Sequence, residues 1–247
     1  CVFLAYVSPN LLGFGSAVVH LTGVSSTVFT IAWDVLFIVI AACVLRGTNA
    51  VAGSFSVRSP FWLGVLAAVC MTALIGNLAA TVVYSVVGDP SYAAYAARQA
   101  TAPTVLSYAL SLIIAPVSEE FVMRGLVYGG LRVRLSVVTS AIISALLFGL
   151  SHGTLTHLPL TILLGFVSCA AYERSRSIWP SVGCHVLTNF AGLFVIPCIA
   201  VPVWMLAPVV AGVLWVLAAI GCVALLIAAK REVSPWYDER MNESQIA

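Results

Sequence analysis

The sequence predicts an all-α, polytopic integral membrane protein, and three observations carry that prediction. Hydrophobic residues make up 62% of the 247 and charged residues only 8%, at a mean hydropathy of +1.09. Apolar stretches exceed the ~20 residues needed to cross a bilayer. The basic residues recur in connections that fall on one side of an even-numbered bundle. A soluble domain could not hide this much apolar surface.

Reading from breaker to breaker, roughly eight spans are expected, near residues 1–22, 27–45, 61–87, 104–133, 137–152, 158–173, 178–196 and 203–229. Pro9, Asn10 and several glycines interrupt the first. Arg46 and Arg58 separate the second from the third, and the connection 88–103, with Arg98, reads as a loop. Pro116 lies inside the fourth, where it should kink or restart the helix and leave backbone carbonyls open. Arg132 with Arg134, Arg174 with Arg176, and Lys230 with Arg231 and Arg240 follow the fourth, sixth and eighth spans. The positive-inside rule makes those ends cytoplasmic, and both termini with them. Residues 1–231 thus read as one transmembrane domain and 232–247 as a polar cytoplasmic tail. The chain starts at Cys1 rather than Met, as a chain lacking its first residues would. The seven cysteines form no C-x-x-C pair and read as small packing residues.

Within this apolar chain the run Glu119-Glu120-Phe121-Val122-Met123-Arg124 stands apart. Three ionised groups at mid-membrane cost on the order of 8 kcal/mol before compensation. Glu120 and Arg124, four apart, share a helical face and can pair, while Glu119 lies about 100° round and is left to point elsewhere. Two later spans add polar groups: Phe148-Gly149-Leu150-Ser151-His152 closes the fifth, and His185 with Asn189 shares a face of the seventh. Counting about 1.5 Å per residue, Glu119 and His152 both lie about 21 to 23 Å from the cytoplasmic ends of their spans. His185 lies only about 10 Å up on the same count, so the seventh span must tilt or begin deeper. His157 reads as a surface histidine near a helix start, and His20 and Asp34 as interhelical or cavity-lining polar residues.

The order E-E-x-x-x-R, F-x-x-x-H, H-x-x-x-N on separate spans resembles the CPBP intramembrane proteases, the Abi family that includes type II CAAX prenyl endopeptidases and bacteriocin-processing or self-immunity proteins. The motifs match without substitution from Glu119 to Asn189, within a core of about 104–196. The resemblance implies an endopeptidase acting near or within the bilayer. Glu119 would be the general base, His152 would hold the water, and His185 with Asn189 would stabilise the oxyanion. Donors aimed at a developing oxyanion supply roughly 3 to 4 kcal/mol. Arg124 would fix Glu120. Metal dependence stays open: Glu119, His152 and His185 form a His2Glu set for zinc with Glu120 as base, against a metal-free glutamate mechanism, which is the preferred reading. Partners expected are a peptide or membrane-protein substrate and the lipid bilayer, with no nucleic acid. A bacterial plasma membrane is the expected location. The competing functions are a non-catalytic scaffold or immunity protein and an ion-coupled transporter, although no inverted repeat is evident.

Overall fold

The computed structural model describes residues 3, 6, 7, 14–22, 25–52, 60–101, 105–196 and 208–231. The expected tail 232–247 and ten of the 22 residues of the first expected span lie outside them. The chain is an all-α polytopic membrane protein. Its helices are α1 (Phe14–Thr22), α2 (Ser26–Val44), α3 (Phe61–Val87), α4 (Pro90–Thr101), α5 (Val105–Arg132), α6 (Val137–Ser151), α7 (Leu158–Ser175), α8 (Ile178–Val195) and α9 (Pro208–Arg231). Among the described residues, five helices have the length and apolarity to cross a bilayer: α2, α3, α5, α8 and the Pro208–Ala229 part of α9. Large apolar side chains such as Leu63 and Ile220 are exposed on their outer faces, as lipid-facing residues must be.

α7 is the hub. It packs against α6, α8, α9 and the wide turn of α3, and residues 163–172 are buried without interruption. Such close packing needs small residues, because lipid offers no hydrophobic drive to press helices together. A Cβ added to Gly165 would lie 2.7 Å from the Ala145 Cβ and 2.8 Å from its Cα, so the backbones of α6 and α7 nearly touch there. The described cysteines, 43, 70, 169, 184 and 222, are all free.

Three connections gather at one end of the bundle. Arg132 bonds Glu173, Arg174 stacks on the Phe61 ring at 5.7 Å, and the Trp179 indole donates to the Val51 carbonyl at 3.0 Å. At the other end, residues 90–101 form a helix in place of the loop expected from the sequence. Gly88-Asp89-Pro90 starts it: Gly88 closes α3 in a left-handed conformation, Asp89 accepts from the Ser91 and Tyr92 N–H groups, and Pro90 suits a first helical position.

Four stretches widen into π-turns: 72–76, 110–114, 121–128 and 191–195. Wider turns advance less per residue than an α-helix. The eight-residue stretch below Glu120 therefore lowers the glutamates relative to a uniform count of 1.5 Å per residue. On the other side of the contact, Ser177 and Ile178 are fully buried, so α8 starts inside the protein. Both effects close the depth gap expected between Glu119 and His185.

Candidate active site

Pro116 sets up the site. α5 does not break there; it opens into the π-turn, in which the Ala115 N–H bonds the Leu110 carbonyl, five residues back. The next bond in that register would run from residue 116 to the Ser111 carbonyl, and proline has no N–H to supply. The Asn189 side-chain amide donates to that carbonyl instead, at 2.9 Å. The carbonyl expected to be left open is therefore held by α8.

One turn on, the Arg124 guanidinium meets the Glu120 carboxylate at 3.0 Å, both side chains being fully buried. Arg124 also donates to the Gly165 carbonyl at 3.3 Å and lies over the Phe148 ring, 4.9 Å from its centre. His185 joins the pair from α8, its Nδ1–H donating to Glu120 Oε1 at 2.9 Å. A carboxylate in an ion pair only accepts, so this bond fixes a proton on Nδ1 and turns Nε2 to the far side. Nε2 faces Glu119 Oε2 at 3.6 Å, beyond a direct hydrogen bond. The Oε2 atoms of both glutamates are buried without a hydrogen-bond partner among the described residues. Buried polar atoms left this way call for an explanation, such as a water or substrate group.

His152 caps α6. Its Nδ1–H donates to the Phe148 carbonyl at 2.9 Å, which leaves Nε2 available. The Phe148 ring stands edge-on to both His152 and His185, with centroid separations of 4.9 and 5.6 Å. The aromatic of the F-x-x-x-H motif is thus the spacer between the two histidines. No hydrogen bond or ion pair joins His152 to Glu119 or His185 among the described residues. The His185/Asn189 pair expected on one face divides its work: His185 serves the glutamates and Asn189 serves the Ser111 carbonyl.

The zinc set of Glu119, His152 and His185 is not assembled. Among the described residues, no three His, Cys, Asp or Glu side chains come together in a group that would hold a metal. Each histidine donates its Nδ1–H to a protein acceptor and keeps Nε2, an arrangement that metal-ligating histidines also show.

Asp34, expected as an interhelical or cavity-lining polar residue, lies in a second polar group next to Glu119, around Ser118. Asp34 accepts from the Tyr6 hydroxyl at 3.3 Å, which in turn accepts from Ser118 at 3.3 Å. Asp34 is a lone acid in a 19-residue apolar helix, so the cost argument that singles out Glu119 applies to it equally. His157 is another correction. It is partly buried against the Tyr92 ring and bonded to Thr154, rather than lying on the surface.

Residues 101–191, which hold every residue of this site, match the family described as type II CAAX prenyl endopeptidase Rce1-like. Through this segment the chain is similar to that family. The chain is also 31% identical over 80 residues to YdiL of Bacillus subtilis (strain 168), whose name marks it provisionally as a membrane peptidase. That match covers 32% of this chain and 33% of the relative, so the likeness spans about a third of each. No solved structure matches. The matched segment is therefore α5 to most of α8, while α2, α3 and α9 form the surrounding bundle.

Proposed function

We infer that this protein is an endopeptidase that hydrolyses a peptide bond of a membrane-associated substrate, using a water activated by Glu119. One observation carries the reading: a buried Glu119 oxygen with no hydrogen-bond partner, facing a histidine nitrogen 3.6 Å away whose ring is locked from behind. A separation just beyond direct bonding suits a water held by both groups. Glu119 takes the proton of that water, the oxygen attacks the scissile carbonyl carbon, and a tetrahedral oxyanion forms. The C–N bond then breaks, and the proton on Glu119 passes to the departing amine. His185 orients the water, kept in one tautomer by Glu120, which Arg124 anchors. The second amide hydrogen of Asn189 is the donor available to the oxyanion, while His152 Nε2, its ring proton being on Nδ1, accepts from the water. The family description and the relative's name support peptide-bond hydrolysis; the assignment of roles is ours. The gathering of basic connections at one end supports a plasma-membrane protein with that end, and both termini, in the cytoplasm.

The test is Glu119→Gln in the full chain reconstituted in proteoliposomes. It is assayed on quenched-fluorescent peptides with and without an S-farnesylated cysteine near the C-terminus. Hydrolysis should fall at least ~100-fold with the melting temperature unchanged. Activity should also survive chelation. Cleavage at the wild-type rate by Glu119→Gln sinks the reading and brings the scaffold role forward.

A further inference from the structure

We propose that Asp89 is a positioning residue for His152, acting from the connection between α3 and α4. Its carboxylate is the sole acidic group between Asp34 and Glu119 in the sequence, and it is buried. Both oxygens are fully engaged. Oδ1 accepts from the Ser91 and Tyr92 N–H groups, each at 3.1 Å. Oδ2 accepts from the Thr156 N–H and hydroxyl, each at 3.1 Å, across 67 residues of sequence. One carboxylate thus clamps the first turn of α4 to the loop that follows His152.

That loop needs a clamp. α6 ends at His152, Gly153 turns the chain at φ +68°, and α7 does not start until Leu158. Within the loop, Thr154 and His157 bond each other at 2.7 Å. The clamped residues carry or adjoin the rings that buttress His152. Tyr92 lies edge-on to His157 with centroids 5.0 Å apart, His157 lies 5.9 Å from His152, and His152 packs on Phe148. Asp89 holds Tyr92 through its own N–H and His157 through the preceding Thr156. The consequence is a row of rings running from α4 to Phe148 whose far end is set by one carboxylate. His185 has a separate anchor in Glu120, so the two histidines are held from opposite sides.

Histidine-ring nitrogen NMR on the full chain in nanodiscs tests this without reference to activity. Asp89→Asn keeps the size but turns an NH2 toward one pair of donors, whichever way the amide sits. Wild type should give one Nδ1-protonated signal set for His152. Asp89→Asn should broaden it or add a second set, Thr156→Val should do so more weakly, and Thr156→Ser should match wild type. His185 signals should stay in place throughout. Unchanged His152 signals in both Asp89→Asn and Thr156→Val overturn the proposal. Equal displacement of His185 overturns it too, since that is the mark of general loosening. The kinetic arm rests on the peptidase reading, which Glu119→Gln decides independently. On that reading Asp89→Asn lowers kcat about 10-fold at a KM within about two-fold, as a small misplacement of a reacting group does.

Discussion

Two arginine–glutamate pairs tie α5 into the bundle, and they are built on opposite terms. Glu173 of α7 accepts from Arg132 through both oxygens, at 3.0 and 3.1 Å, and from the Tyr128 hydroxyl at 2.8 Å, so its carboxylate is fully satisfied. Its side chain and that of Arg132 keep 12 and 14% exposure at the end of the bundle. About three turns deeper, Glu120 concentrates Arg124 and His185 on one oxygen, and its Oε2 and that of Glu119 have no hydrogen-bond partner among the described residues. A bidentate, satisfied pair serves stability. A buried pair with spare acceptors is expensive in stability and is kept where a third group is to be bound.

Removing a partner separates the two clusters most sharply. Arg124→Ala strands buried Glu120 and should cost roughly 3 to 5 kcal/mol, seen as poor expression and a lowered melting temperature along with lost hydrolysis. Glu173→Gln keeps several of its bonds near solvent and should cost about 1 kcal/mol, with hydrolysis within a few-fold of wild type. If Glu173→Gln abolished hydrolysis while the fold held, the division between a structural and a reactive pair would fail.

Gly165 links the comparison to packing, because its carbonyl holds Arg124 and its missing Cβ lets α6 and α7 close. Gly165→Ala meets the backbone of Ala145 rather than a flexible side chain. It should destabilise by about 1 to 3 kcal/mol, with hydrolysis falling in step. A melting temperature unchanged from wild type would mean that the helices do not approach as closely as described.

The smallest effect lies at the far end. Burial, with His152 nearby and Asp89 opposing, pushes His157 down to about 4. Burial tends to raise Asp89 as well, but the N–H groups of Tyr92, Thr156 and Ser91 and the Thr156 hydroxyl hold it below the usual carboxylate range. An unfolded histidine titrates near 6.5, so between about 6.5 and 4 the unfolded chain binds more protons and stability falls as the pH drops. Asp89 adds a second loss only below about 4, where a free carboxylate protonates first. Melting temperatures should be level above about pH 7 and decline below it, and His157→Gln should flatten the upper part of that decline. A full decline in that variant would assign the effect to other groups.

Local chemistry alone made part of this protein legible in its sequence. Apolar length requires membrane helices, and α3 runs over the residues 61–87 that were expected from it. Helical spacing alone pairs Glu120 with Arg124, and the missing N–H of Pro116 requires an unserved carbonyl nearby. The Asp89-Pro90 start of α4 was also written in the sequence, in the preference of helix starts for an acid followed by proline, although that connection reads at first as a loop. Only the tertiary structure decided which groups meet. That Asn189 serves Ser111, that one histidine touches both glutamates, and that Asp34 and Asp89 back the site from two sides are facts of contact between helices. The depths that allow those contacts depend on π-turns and on a buried start for α8. These shift residues by ångströms, and a uniform rise per residue does not contain them.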